Sequence, residues 1–172
     1  MKTILALMMT LAAAGGGLTA WALKQEDPGK LLQQTGYTLS AAIAKAVKEA
    51  KEGTPVQVEL EEEDGKVVYS VEIALGSKVV EVNLDAKSGD LVKKDIENED
   101  KSEVAKACSV PLSKAIETAL QKVPGQAFQA EAAIAHGKPQ IEVKVLSEGK
   151  VQKVLTGDTA FLEVSKSNRI PA

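Results

Sequence analysis

One histidine and one cysteine set the ceiling on the chemistry this chain could perform. His136 precedes Gly137 in what reads as a hairpin turn, where positive φ is common and His tolerates it better than most residues. A Ser-His-Asp arrangement would have to be built on that imidazole. A His-based zinc protease site needs several ligands on one face, and the chain has no His-Glu-x-x-His. No motif joins Cys108 to His136. No catalytic residue, metal ligand or cofactor is therefore expected, and the chain reads as something other than an enzyme. One cysteine also excludes an internal disulfide. A free thiol in an exported chain can pair between molecules, but Cys108 reads more simply as a small, partly buried apolar residue.

The carboxylates are more numerous but no more specific. Glu61-Glu62-Glu63-Asp64 is the densest acidic run. It could attract a cation or a basic partner, and it also reads as a solvated hairpin tip that discourages edge-to-edge association. Asp85-Ala86-Lys87-Ser88-Gly89-Asp90 puts two carboxylates in one turn. A calcium loop needs more oxygen ligands at fixed spacing, so Asp85 and Gly89 are assigned to turn geometry.

The elements that hold these residues occur twice. Leu39, Ala42, Ile43, Ala46 and Val47 return as Leu112, Ala115, Ile116, Ala119 and Leu120, an offset of 73. Gly53, Gly65, Val71 and Val79 return as Gly125, Gly137, Val143 and Val151, an offset of 72. Such repetition sets the architecture. Each copy opens with an apolar stripe at helical spacing and then switches to period-two alternation. In the first copy Thr38 or Ser40 can cap the helix, and Gly53 with Pro55 ends it. Asp64-Gly65 is a hairpin signal, followed by strands around Val67 to Ile73 and Val80 to Leu84. The second copy runs through Phe128 to Ile134, His136-Gly137, Ile141 to Val145 and a weaker strand near Val151 to Leu155, with a later strand near Phe161 to Val164.

The expected fold class is thus α+β: two tandem units, each one amphipathic helix followed by a three-stranded antiparallel sheet. Clean alternation implies a sheet covered on one face. The first unit spans 36–95 and the second, less regular, 110–166. Residues 96–109 are expected to be a linker, 23–35 a flexible lead-in and 167–172 a fraying tail. A unit of this size buries too little surface alone, so the two should dock.

At the N-terminus, Lys2, the apolar run from Ile4 to Ala14 and Ala20-Trp21-Ala22 read as a secretory signal cleaved after Ala22. The rival is an uncleaved anchor, since no charge occurs from Thr3 to Leu23, but Gly15 to Gly17 interrupt the apolar segment. A periplasmic or secreted location follows. Removing Lys2 takes the formal charge from −3 to −4. The first unit carries 8 Lys against 12 acids and the second 7 against 6. Neither has a basic stripe with interleaved aromatics, so nucleic acid is not an expected partner.

The order of features resembles the PepSY domain family. Leu39-Ser40-Ala41-Ala42-Ile43 with Ala46, then Gly53, Glu59, Asp64-Gly65-Lys66 and Tyr69-Ser70-Val71-Glu72 carry the likeness. So does Val82-Asn83-Leu84-Asp85 running on to Gly89-Asp90, a strand ending in Asp-x-x-x-Gly. The second copy keeps Leu112-Ser113-Lys114-Ala115-Ile116 and Gly137-Lys138 but has Thr156-Gly157-Asp158 where that turn would fall. The resemblance implies a helix-plus-sheet module of exported bacterial proteins, found in propeptides of secreted metalloproteases. Its implied role is to bind and restrain proteases or to regulate activity at the cell surface, without catalytic residues.

The functional expectation is an exported, non-catalytic binding or regulatory protein that restrains or inhibits a secreted or envelope protease through protein–protein contact; the alternative is a structural or ligand-sensing envelope protein with no protease partner. An open sheet edge can accept an extended peptide as an added strand. Val56 to Leu60 or Val80 to Leu84 would be that edge, making Val56, Glu59, Glu61, Glu62, Val80 and Val82 the candidate partner-binding residues.

Overall fold

The computed structural model describes residues 27–157 and 161–166. The signal peptide expected at 1–22 and the tail at 167–172 lie outside the described residues.

Both helical stripes form as their spacing dictates. Helix α2, Leu39–Ala50, is capped by the Thr38 hydroxyl, which accepts from the Ala41 N–H, and buries Leu39, Ala42, Ile43, Ala46 and Ala50. Helix α4, Leu112–Lys122, buries Leu112, Ala115, Ile116 and Ala119. A short α1, Pro28–Leu32, precedes α2, and a short α3, Ser102–Ala107, precedes α4.

The expectation of two three-stranded sheets is corrected. Each unit contributes four strands. The first supplies β1 (Thr54–Glu63), β2 (Lys66–Leu75), β3 (Lys78–Asp85) and β4 (Leu91–Glu97). The second supplies β5 (Gln126–Ala135), β6 (Lys138–Ser147), β7 (Lys150–Gly157) and β8 (Phe161–Lys166). All eight form one antiparallel sheet in the order β4-β3-β2-β1-β5-β6-β7-β8. Strand β4 escaped the sequence reading because Leu-Val-Lys-Lys-Asp-Ile-Glu has no clean alternation. It lies at a sheet edge, where burial does not impose one.

The seam joins β1 to β5, with Gln57 opposite Glu131, Val58 opposite Ala130 and Glu59 opposite Gln129. Ala130 is the repeat counterpart of Val58, so identical positions meet at the centre. This is the self-complementary pattern of a twofold interface, here within one chain. The repeat extends to irregularities. Bulges fall at Pro55/Gln57 in β1 and Ala127/Gln129 in β5, and at Asn83/Leu84 and Leu155/Thr156.

Gly53 and Gly125 explain their own recurrence. A Cβ on Gly53 would lie 2.6 Å from Ile73 Cγ2 and 2.8 Å from the Ala74 carbonyl oxygen. One on Gly125 would lie 2.9 Å from Val145 Cγ1 and 2.3 Å from the Leu146 carbonyl oxygen. Those neighbours are also repeat counterparts. In both units the chain leaves the helix directly against the second strand, and only glycine fits.

A single core cluster runs through both units. It contains Val58, Leu60, Tyr69, Val71, Ile73, Val80, Val82 and Leu84 from the first sheet half, and Ala130, Ile141, Val143, Val145 and Val154 from the second. Leu31 and Leu32 of α1 also enter it. The flexible lead-in expected over 23–35 is therefore corrected for residues 28–32, which form a helix anchored by burying two leucines. The expected linker over 96–109 is corrected as well: Ile96 and Glu97 finish β4, and α3 occupies its middle.

A candidate partner-binding face

Alternation sends Val71, Ile73, Val80 and Val82 to the helix-covered side and their neighbours to the other. On that other side, register aligns one row of side chains across six strands. Asp95 pairs with Glu81, Glu81 with Glu72, Glu72 with Gln57, Gln57 with Glu131, and Glu131 with Glu142. Five of these six residues are carboxylates. Like charges directly opposite one another destabilise a sheet, so the row must be compensated. Lys101, at the start of α3, donates to Glu72 and also pairs with Glu99 at 3.7 Å. Burial works against the Lys101 charge, but the bond to Glu72 and the fields of Glu72, Glu99 and Glu131 outweigh it and raise its pKa. Burial pushes the Glu97 carboxyl above its usual range, reinforced by Glu81, Glu72 and Glu99.

The adjacent row is polar rather than acidic. It reads Lys93, Asn83, Ser70, Glu59, Gln129, Lys144 and Lys153 from β4 to β7. Asn83 donates to Glu63 at 2.6 Å, and Lys93 bridges Asp95 at 2.7 Å and Glu63 at 3.7 Å. In the second half, Lys153 pairs with Glu142 at 3.3 Å. The negative excess of the face thus lies on the first unit and the seam.

The first unit has a further polar clasp. The Tyr69 hydroxyl donates to the Tyr37 carbonyl at 2.7 Å, and the Tyr37 hydroxyl donates to the Asp85 carbonyl at 3.0 Å. The rings lie 5.2 Å apart. Desolvation, with added contributions from Tyr69, Asp85 and Asp90, pushes the Tyr37 phenol up to about 12. The Asp85 carboxylate accepts from the Lys87 and Ser88 N–H groups and thereby shapes the turn. Those bonds lower its pKa. In the second unit the counterparts of Tyr37, Tyr69 and Asp85 are Val110, Ile141 and Gly157. They line a small pocket with Cys108 and Thr156, so the clasp is missing there.

A larger cavity of about 360 Å³ opens between the end of α2 and the start of α4, lined by Ile43, Val47, Pro55, Cys108, Val110 and Leu112 among others. Cys108 is half-buried. His136 is exposed in the β5–β6 turn at φ 52°. Among the described residues no three His, Cys, Asp or Glu side chains converge as a metal site. No described helix is long and apolar enough to cross a membrane.

The six expected partner-binding residues separate. Val56 and Val80 are 2% exposed and Val82 is fully buried. Their strands, β1 and β3, are interior, with neighbours on both sides. Neither can take an added strand, which corrects that expectation. Glu59 and Glu61 stand half-exposed on the open face, and Glu62 is exposed near the β1–β2 tip. The sequence reading missed the row of Glu72, Glu81, Asp95, Glu131 and Glu142, because only register brings those positions into line.

The fold defines a two-unit α+β protein with one sheet face covered by α2 and α4 and the other carrying the carboxylate row beside α3. Residues 36–95 match the family model for the "Peptidase propeptide and YPEB domain", PepSY. No curated protein matches the chain. A crystal structure of a "putative lipoprotein" from Clostridium difficile 630 aligns with a TM-score of 0.48 and 19% identity, covering 80% of this chain and 97% of that one.

Proposed function

We propose that the protein is an exported, non-catalytic binding protein that engages another secreted or envelope protein, with restraint of a protease as the outcome. The PepSY match over residues 36–95 carries this reading. The open face is the docking surface we assign to it. Glu59 and Glu61 lie on that face beside the carboxylate row, whereas Glu62, exposed near the β1–β2 tip, stands on the opposite side of β1 with Val58 and Leu60. A surface of one charge favours and steers a partner of the other, so a basic segment of the partner is the expected contact.

A ligand-sensing envelope protein is the second reading, favoured by the cavity between α2 and α4. One experiment separates the two. Residues 23–172 are titrated into the secreted and envelope fractions of the source organism while proteolysis of a general protein substrate is followed. A dose-dependent fall, abolished by Glu59→Lys with Glu61→Lys, supports restraint through this face. Unchanged proteolysis with a folded protein refutes the protease reading and directs attention to the cavity.

A further inference from the structure

The outer strand β4 departs from the rest of the molecule. Among the described residues it is hydrogen-bonded on one side only, to β3. The exposed large hydrophobic residues of the described chain, Leu91 at 47%, Val92 at 42% and Ile96 at 64%, all belong to it. Proteins ordinarily protect an edge strand with lysines, inward charges, proline, bulges or a covering segment; on β4 that protection is Lys93, the inward Lys94 and one bulge. Here the bulge falls at Val92, between Leu91 opposite Leu84 and Lys93 opposite Asn83, and Lys93 to Ile96 runs on in regular register against β3. The Lys94 ammonium donates to the Glu49 carbonyl of α2 at 2.8 Å. That places Lys94, and with it Val92 and Ile96, on the helix side, and Lys93 and Asp95 on the open side.

We infer that β4 is a homodimerisation edge, pairing antiparallel with β4 of a second copy of this chain about a twofold axis at Lys94. In that register Val92 faces Ile96 of the second copy on the helix side, and Lys93 faces its Asp95 on the open side, each pair occurring twice. Apolar meets apolar and cation meets anion, which is the complementarity a cross-strand pair rewards. The two Lys94 side chains meet at the axis, and the bond of each to its own Glu49 carbonyl draws the ammonium toward its own helix. A twofold axis perpendicular to the sheet keeps both helix layers on the same side. The chain already uses this geometry at its seam, where Val58 meets its repeat counterpart Ala130. The occupant is a second copy because the strand complements itself; a foreign strand would need to match the same alternation of charge and apolar side chains.

Sedimentation equilibrium of residues 23–172 over a wide concentration range tests this. The wild type is expected to dimerise reversibly. Asp95→Lys sets lysine against lysine twice per dimer and is expected to weaken association about tenfold or more. The swap Lys93→Asp with Asp95→Lys restores the complementarity and the dimer. Ile96→Gln, at a residue 64% exposed in the monomer, weakens the dimer while leaving thermal unfolding of the monomer unchanged. A monomer at every concentration overturns the inference. So does a dimer indifferent to Asp95→Lys and Ile96→Gln, because its interface would lie elsewhere.

Discussion

Val58 and Ala130, one position in two copies of the same unit, face each other at the centre of the sheet with no solvent exposure at either. The seam is therefore an internal dimer interface, covered by α2 and α4 on one side. Val58→Asp would bury a carboxylate where no partner charge is available and is expected to cost about 3 kcal/mol or more. Chemical denaturation monitored by far-ultraviolet circular dichroism measures it. Residues 36–97 expressed alone should self-associate through the uncovered β1 edge, which gel filtration would show as a species larger than the monomer.

Gly53 and Gly125 should be intolerant in parallel. Gly53 stands at φ 108°, and its added Cβ meets Ile73 and Ala74; that of Gly125 meets Val145 and Leu146. Gly53→Ala and Gly125→Ala are each expected to destabilise by about 1–3 kcal/mol. Gly65→Ala, at φ 78° with open space around it, is expected to lose only about 1 kcal/mol from backbone strain.

Lys101 holds the carboxylate row together. Lys101→Met leaves Glu72 without its cation and is expected to cost about 1–2 kcal/mol at neutral pH, between the values for exposed and buried pairs. The Glu97 carboxyl, already raised, should rise further because the lowering influence of Lys101 is gone. A carboxyl whose pKa is raised on folding contributes stability below its unfolded value and loses it as pH climbs through the folded value. The variant should therefore recover stability relative to wild type as pH falls into the carboxylate range, readable from paired melting curves and from side-chain NMR titration of Glu97.

Tyr37 and Tyr69 link the start of α2 to the β3–β4 turn. Both phenols are raised, Tyr37 to about 12 from an ordinary 10.0. The folded state thus holds its phenolic protons where the unfolded chain releases them. Stability is fully present below about pH 10 and falls as pH rises toward 12. Tyr37→Phe removes the bond to the Asp85 carbonyl at a cost of about 1 kcal/mol. It should leave one raised phenol in an ultraviolet titration where the wild type shows two.

The local half of this protein was legible along the chain. Repeat offsets, apolar stripes and strand alternation are properties of near neighbours, and they located both long helices and seven of the eight strands. Turn chemistry was equally legible: Asp85 and Gly89 shape the β3–β4 turn, and His136 occupies a positive-φ position. The PepSY likeness over the first unit was legible for the same reason, since motifs are local.

What lies beside what came from long-range packing. Val56, Val80 and Val82 have the composition of any strand, and nothing local says whether a strand is an edge or an interior member. The β1–β5 seam made β1 interior, while β4 made β3 interior and took the exposed edge itself. Glu72, Glu81, Asp95, Glu131 and Glu142 sit far apart in the chain, each an unremarkable polar position in its own strand. Antiparallel register, fixed by which face must be buried, is what sets them in one row.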